Sequence, residues 1–229
     1  MQATTPEIIN IADHGARLTE PFTMIDLAQI DDLVLSIFVC QGTMPYHRHL
    51  DQDELFLVHT GTISLDSEWG NVILKAGEMA VVPKSLGHRS SSMLRSLVLL
   101  LQPRLVVERR NGDRRLFMPD EEKKHLEKLS VTAMSRQLVV PFQPVLLAHL
   151  DTFAVHLTLC MGDGGWQQTD RQATLIQCCD GRLSVETEAE RLSLGPGELL
   201  VVPAGVSHRL SSTGRAAVLG VTRHQQPEA

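Results

Sequence analysis

Gly77-Glu78-Met79-Ala80-Val81-Val82-Pro83-Lys84-Ser85-Leu86-Gly87-His88-Arg89 returns 120 residues later as Gly197-Glu198-Leu199-Leu200-Val201-Val202-Pro203-Ala204-Gly205-Val206-Ser207-His208-Arg209. Working outward at the same offset needs no gap. Pro21-Phe22 returns as Pro141-Phe142, Leu27-Ala28 as Leu147-Ala148, and Asp31 as Asp151. Cys40 returns as Cys160, Gly42 as Gly162 and Gly61 as Gly181. Residues 21–93 and 141–213 share 22 identities in 73 positions. Shared turn chemistry does not hold register over such a span, so the chain is a tandem duplication. A length of 229 residues alone would fit one domain or two; the offset selects two.

Each copy reads as short strands between turns. In the first, Leu33–Cys40, Leu55–His59, Thr62–Asp66, Val72–Leu74, Met79–Val82 and Leu97–Leu101 are β-branched or apolar runs. Gly42, Gly61, Gly70, Gly77 and Pro83 punctuate them. Even spacing of this kind predicts an all-β barrel or sandwich in each copy. Between the copies the texture becomes charged. Asp120 can cap a helix from Glu121, with Leu126, Leu129 and Ala133 on one face. The expected division is therefore 1–107 for the N-terminal barrel, 108–137 for a linker with a short helix, and 138–229 for the C-terminal barrel.

Composition excludes several classes. A net charge of −6 argues against non-specific nucleic-acid binding, which needs a basic face. No apolar run reaches the length of a membrane span, and the first residues lack the basic and apolar regions of a signal peptide. Four cysteines without a CxxC suggest neither a disulfide framework nor a structural zinc site. A cytoplasmic protein with no nucleic-acid or membrane partner is expected.

Residues 42–61 of the first copy carry chemistry. His47 and His49 are two apart, so on a strand both point to one face. Glu54 lies beyond a turn at Leu50–Asp53, where an adjacent strand can bring it to that face. His88 follows the strand and turn ending at Pro83. Three imidazoles and a carboxylate on one inner wall would hold a divalent first-row metal with positions left open.

This spacing resembles the cupin family. Its first motif runs Gly, five residues, His-x-His, three or four residues, Glu, six residues, Gly. The chain has four residues between Gly42 and His47, one short, and then matches at His47, His49, Glu54 and Gly61. The second motif runs Gly, five residues, Pro-x-Gly, two residues, His, three residues, Asn. Gly77, Pro83 and His88 match, while Ser85 replaces Gly and Ser92 replaces Asn. In the second copy Gly197, Pro203, Gly205 and His208 match, with Ser212 for Asn. The resemblance implies two tandem antiparallel jelly-roll β-barrels and a single metal (Fe, Mn, Zn, Ni or Cu) on His47, His49, Glu54 and His88. It implies dioxygenase-like chemistry on a small molecule first and isomerase-like chemistry second. The alternative is a non-catalytic barrel that binds or senses a small ligand around a structural metal.

The offset also shows what the second copy lacks. His47 corresponds to Gln167, His49 to Thr169 and Glu54 to Thr174, while His88 keeps its counterpart His208. Residues 43–60 share two of 18 positions with the second copy, whereas residues 61–93 share 13 of 33. Divergence thus falls where the ligands sit. No metal is expected in the C-terminal barrel, which is read as structural or as an interface partner for the first. Gln167, Thr169, Thr174 and His208 could instead be hydrogen-bonding groups of a pocket for a polar small ligand.

Other residues are read as packing. His59 belongs on the surface or between sheets, and Tyr46 opposite His47 by strand parity. Phe38, Phe56 and Met79 fill the barrel, and Cys178 and Cys179 are buried and inert. Arg104, Arg109, Arg110, Arg114 and Arg115 are read as a solvated linker or as domain-interface salt bridges rather than an anionic-ligand site. The two barrels are expected to pair within the chain, and whole chains could pair again as a homodimer through exposed strand edges.

Overall fold

The computed structural model describes residues 6–104, 125–168 and 171–224. Among the described residues every pairing between strands is antiparallel, and the strands form two sheets of eight. In the N-terminal half the strands are β2 (Met24–Ile30), β3 (Leu33–Thr43), β4 (Glu54–Thr60), β5 (Thr62–Ser67), β6 (Gly70–Lys75), β7 (Glu78–Val82) and β8 (His88–Pro103). In the C-terminal half they are β10 (Val145–Leu150), β11 (Phe153–Asp163), β12 (Thr174–Asp180), β13 (Leu183–Thr187), β14 (Arg191–Leu194), β15 (Glu198–Val202) and β16 (His208–Arg223). Preceding the halves are β1 (Ile9–Asn10) with α1 (Ile11–Ala16) and β9 (Lys128–Ser130) with α2 (Val131–Gln137).

The long strand β8 organises the N-terminal barrel. Along its length it pairs with β3 on one side. On the other, its first residues pair with β5 and its last with β4. One strand therefore serves two parts of the wall, which bends the sheet around a core. That core contains Phe38, Phe56, Val58, Ile63, Leu65, Leu74, Val98 and Leu100, all buried. Side chains of this size contribute about 1.5–3 kcal/mol each on burial. Strand β16 does the same in the C-terminal barrel, pairing with β11, β12 and β13.

The duplication extends to irregularities. Bulges interrupt the ladders at Cys40/Gly42 and Cys160/Gly162, at Val58/Thr60 and Cys178/Asp180, and at Asp26/Ala28 and Leu146/Ala148. Left-handed backbone recurs at Phe22 and Phe142, at Asp31 and Asp151, and at Ser85 and Gly205. Gly61 shows why such positions persist: at φ 86° its Cβ would stand 2.3 Å from the Ser96 hydroxyl.

The two compact units differ from the division read in the sequence. One is His14–Ser130; the other joins Met1–Asp13 to Val131–Ala229. Ile9 and Asn10 of β1 pair with Leu199 and Glu198 of β15 in the C-terminal barrel. At the 120-residue offset, Leu129 and Ser130 of β9 pair with Met79 and Glu78 of β7 in the N-terminal barrel. Each short strand thus completes the barrel of the opposite copy. The helix expected from Glu121 has its start outside the described residues. Leu126 is buried in the N-terminal core and Leu129 lies on a strand, and the helix begins only at Val131. The spacing of Leu126 and Leu129 is met by extended chain because β7 offers an open edge to pair. Of the Arg cluster only Arg104 is described, where it donates to Gln29; Arg109, Arg110, Arg114 and Arg115 lie outside the described residues.

Candidate metal centre

His47 and His49 flank Arg48 on an extended segment, and the alternation separates them. Arg48 turns outward to Glu68 at 2.6 Å, while both imidazoles turn inward. A backbone bridge between His47 and His88, with mutual N–H to carbonyl bonds of 3.0 and 2.8 Å, sets the two rings side by side. Their centroids are 4.5 Å apart, and His49 lies 5.1 Å from His47 and 5.9 Å from His88. Glu54 opens β4 and completes the group. One donor atom from each of the four residues lies within 4.8 Å of the others.

The turn between His49 and Glu54 is tied down twice. The Ser85 amide donates to the His49 carbonyl at 2.6 Å, and the Lys84 amide to the Asp53 carboxylate at 2.9 Å. Two of the rings have their tautomer set by backbone. The Nδ1–H of His47 donates to the Pro45 carbonyl at 2.8 Å, and that of His88 to the Leu86 carbonyl at 3.1 Å. Both Nε2 lone pairs are left facing the cluster, as metal-ligating histidines require. Buried Gln52 bridges His49 Nδ1 and Gln102 Oε1, each 3.4 Å away. Sequence reading missed Gln52 as a site residue. Its signal was present: within residues 43–60, only Gln52 and Leu55 are identical in the second copy.

The cluster is under-satisfied. His88 Nε2 and Glu54 Oε2 stand 2.9 Å apart with side chains 1% and 4% exposed, yet neither atom has a hydrogen-bond partner. Buried polar atoms without partners are uncommon and costly. Two such atoms aimed at one point, joined by two more imidazoles, fit a divalent transition metal. Burial lowers the pKa of His49, against the raising influence of Glu54, so its ring favours the neutral form a metal needs.

The fold and the site can be set beside known proteins. No family model matches the chain. Over 94 residues it is 29% identical to the uncharacterized protein YdbB of Bacillus subtilis (strain 168), spanning 41% of this chain and 83% of that protein. A cupin 2 conserved barrel domain protein from Leptotrichia buccalis is similar over 97% of this chain and 98% of that one, with a TM-score of 0.71 and 10% identity. Salicylate 1,2-dioxygenase from Pseudaminobacter salicylatoxidans is similar over 96% of this chain and 84% of that one, with a TM-score of 0.74 and 12% identity. The chain has the cupin fold. The likeness runs through both halves, so the jelly-roll arrangement expected from the motifs is present.

Within that cupin frame the second barrel is different. Gln167 bridges His208 through its backbone, as His47 bridges His88. Thr174 opens β12 as Glu54 opens β4. Thr169 lies outside the described residues. Among the described residues, the group formed by His47, His49, Glu54 and His88 is the one set of three or more His, Cys, Asp or Glu donors within reach of a single ion.

The remaining sequence expectations divide. Phe38 and Phe56 do fill the N-terminal core, and Met79 is fully buried. Burial pushes the Cys178 thiol up to about 11 and that of Cys179 up to about 12, which keeps both protonated and unreactive at neutral pH. His59 is half-buried, and burial lowers its pKa. Tyr46 is not packed inside: it is 51% exposed, and its hydroxyl donates to the Gly87 carbonyl at 2.9 Å. No helix among the described residues is long and apolar enough to cross a membrane.

Proposed function

We propose that the N-terminal barrel binds one divalent transition metal through His47, His49, Glu54 and His88 and acts there on a small molecule. Oxygenation is the first reading and isomerisation the second. Iron, manganese, nickel, copper and zinc all accept this donor set. The observation that carries the reading is an asymmetry of exposure. Glu54 and His88 form a floor, at 4% and 1% exposed, while the His49 side chain is 32% exposed. A structural metal site is closed on all sides, whereas a catalytic one keeps an open position.

When bound, the metal would act as a Lewis acid or as the site where dioxygen and substrate meet. The chain's own residues shape the rest. Phe56 sets its ring edgewise to His88, with centroids 5.9 Å apart, and Phe38 and Leu100 lie in the same buried cluster. This dry floor strengthens electrostatic interactions at the donors and excludes water from below. Substrate would enter from the side of His47 and His49. The likeness to salicylate 1,2-dioxygenase is one of fold alone, and dioxygenation of a small molecule is the reaction to test first.

The test begins with metal analysis of purified protein, which should find about one equivalent per chain. His49→Ala should reduce that to about a tenth after dialysis while the circular dichroism of the barrels stays unchanged. Oxygen uptake by iron(II)-loaded protein with catechols and β-diketones should exceed that of His49→Ala. Two equivalents per chain would overturn the assignment of a single site. Tightly held zinc with no turnover of any of these compounds would move the reading to a binding or sensing role.

A further inference from the structure

The C-terminal barrel contains a partly open cavity of about 230 Å³, lined within a single unit. The 120-residue offset shows how it arises. Thr158 stands where the N-terminal barrel has Phe38, Ile176 where it has Phe56, and Gly220 where it has Leu100. Those three N-terminal side chains are buried members of the core, and all three replacements line the cavity. Thr174 for Glu54 and Thr222 for Gln102 enlarge it further. Five reductions around one point open this space, only partly offset by His156 and Leu210, which line it where the N-terminal barrel has Ser36 and Ser90.

Gly220 is not required by the backbone. It lies in the middle of β16, paired with His156 and Ile176, outside the left-handed region. An added Cβ would meet nothing closer than the Leu175 carbonyl at 4.0 Å. Glycine in a strand interior marks close approach of another group; here the adjoining space is the cavity.

The lining has a definite chemistry. Phe142, Ile176, Leu210 and Val218 supply apolar walls. Among the described residues the Thr158, Gln167, Thr174 and Thr222 side chains, which line the cavity, have no hydrogen-bond partner. His208 is held through Nδ1 by the Val206 carbonyl, which leaves Nε2 as an acceptor. No Asp, Glu, Lys or Arg lines the cavity among the described residues. A charged ligand would lose its water there without a counter-charge. Burial lowers the pKa of both His156 and His208, so the lining is neutral as well. At roughly 30 Å³ per water the space equals about eight waters, the size of one substituted ring.

We propose that the C-terminal barrel is a binding site for a neutral, single-ring organic molecule with hydrogen-bonding substituents, received between Thr158, Thr174, His208 and Gly220. The site is separate from the metal cluster and does not depend on the reading given above for that cluster. The ring lies against the apolar walls and its substituents meet the threonine hydroxyls, Gln167 and His208 Nε2.

The test is a two-dimensional NMR titration of the full metal-loaded chain with phenol, resorcinol and 2-pyridone, against benzoate and toluene. Resorcinol places its oxygens 1,3, so they do not close a chelate ring on one metal at the N-terminal site. Saturable shifts on β11, β12 and β16 are expected from the neutral hydrogen-bonding rings. The best of them should bind at least tenfold more tightly than benzoate or toluene. Gly220→Leu installs the side chain that the other barrel carries and should weaken that binding at least tenfold while metal content stays unchanged. Thr174→Val keeps the shape, removes one hydroxyl and should weaken it about threefold, which serves if Gly220→Leu does not fold. Absence of saturable shifts from all three rings would overturn the proposal. So would equal binding of benzoate or toluene, or binding that survives both substitutions.

Discussion

The two barrels share a backbone down to the positions of their bulges, yet their interiors are lined differently. In the N-terminal barrel, Phe38, Phe56 and Leu100 fill the interior beneath four metal-type donors. In the C-terminal barrel Thr158, Ile176 and Gly220 occupy the same places, and the donors are reduced to Gln167, Thr174 and His208. Turn glycines and part of the apolar core, among them Leu74/Leu194, Val82/Val202 and Val98/Val218, are kept while other interior positions change. A barrel of this kind separates what holds it together from what it carries.

The largest effect that would break this comparison is in the first core. Leu100→Gly reproduces the hollow of the second barrel in the first. Losing a buried Leu costs 2–5 kcal/mol and strand glycine adds to it, for a loss of about 4 kcal/mol, to be read by urea unfolding. A loss under about 1 kcal/mol would show that the N-terminal interior does not rely on its large side chains. A grafted second site gives a smaller effect. Gln167→His with Thr174→Glu, beside the native His208, restores three of four donors on an equivalent backbone. Zinc stoichiometry should rise from about one to about two per chain, the second held more weakly. A ratio that stays at one would mean the backbones diverge locally. The smallest effect concerns the turn before the shared histidine. Ser85 takes φ 68° where Gly205 takes 79°. Relief of roughly 1–2 kcal/mol of left-handed strain, set against roughly 0.5–1 for glycine's entropy, predicts that Ser85→Gly stabilises by about 0.5 kcal/mol. Gly205→Ser should do the reverse, and paired thermal melts would read both.

Much of this was legible in the sequence. The offset disclosed two copies, the runs from Leu33 to Leu101 matched observed strands, and His47, His49, Glu54 and His88 of the motif register lie together. The edges of the reading failed for physical reasons. Strand β2 has an alternating, half-exposed pattern with Asp26 and Gln29 that gives little hydrophobic signal. Arg89 through Arg95 gives little apolar signal, yet it lies in β8, where Arg89–Ser91 pair with β5 and Ser91 and Ser92 with β3. The pairing of β1 with β15 is long-range and leaves no local trace. The cavity was half visible. Its polar residues were named from the lost ligands, but the room for a molecule came from Thr158 and Gly220, which nothing but an aligned interior could single out.

The exchanged strands also bear on how the protein is made. Ile9 and Asn10 are synthesised well ahead of their partners Leu199 and Glu198, about 190 residues further along the chain. At roughly 5–20 residues per second, that separation is about 10–40 seconds of synthesis. The N-terminal barrel can close as soon as β9 emerges, while β1 waits for β15 of the second barrel. A cut between the copies would therefore not release two complete halves. Each product would lack the strand that the other carries, and its β7 or β15 edge would stand open to pairing with another molecule.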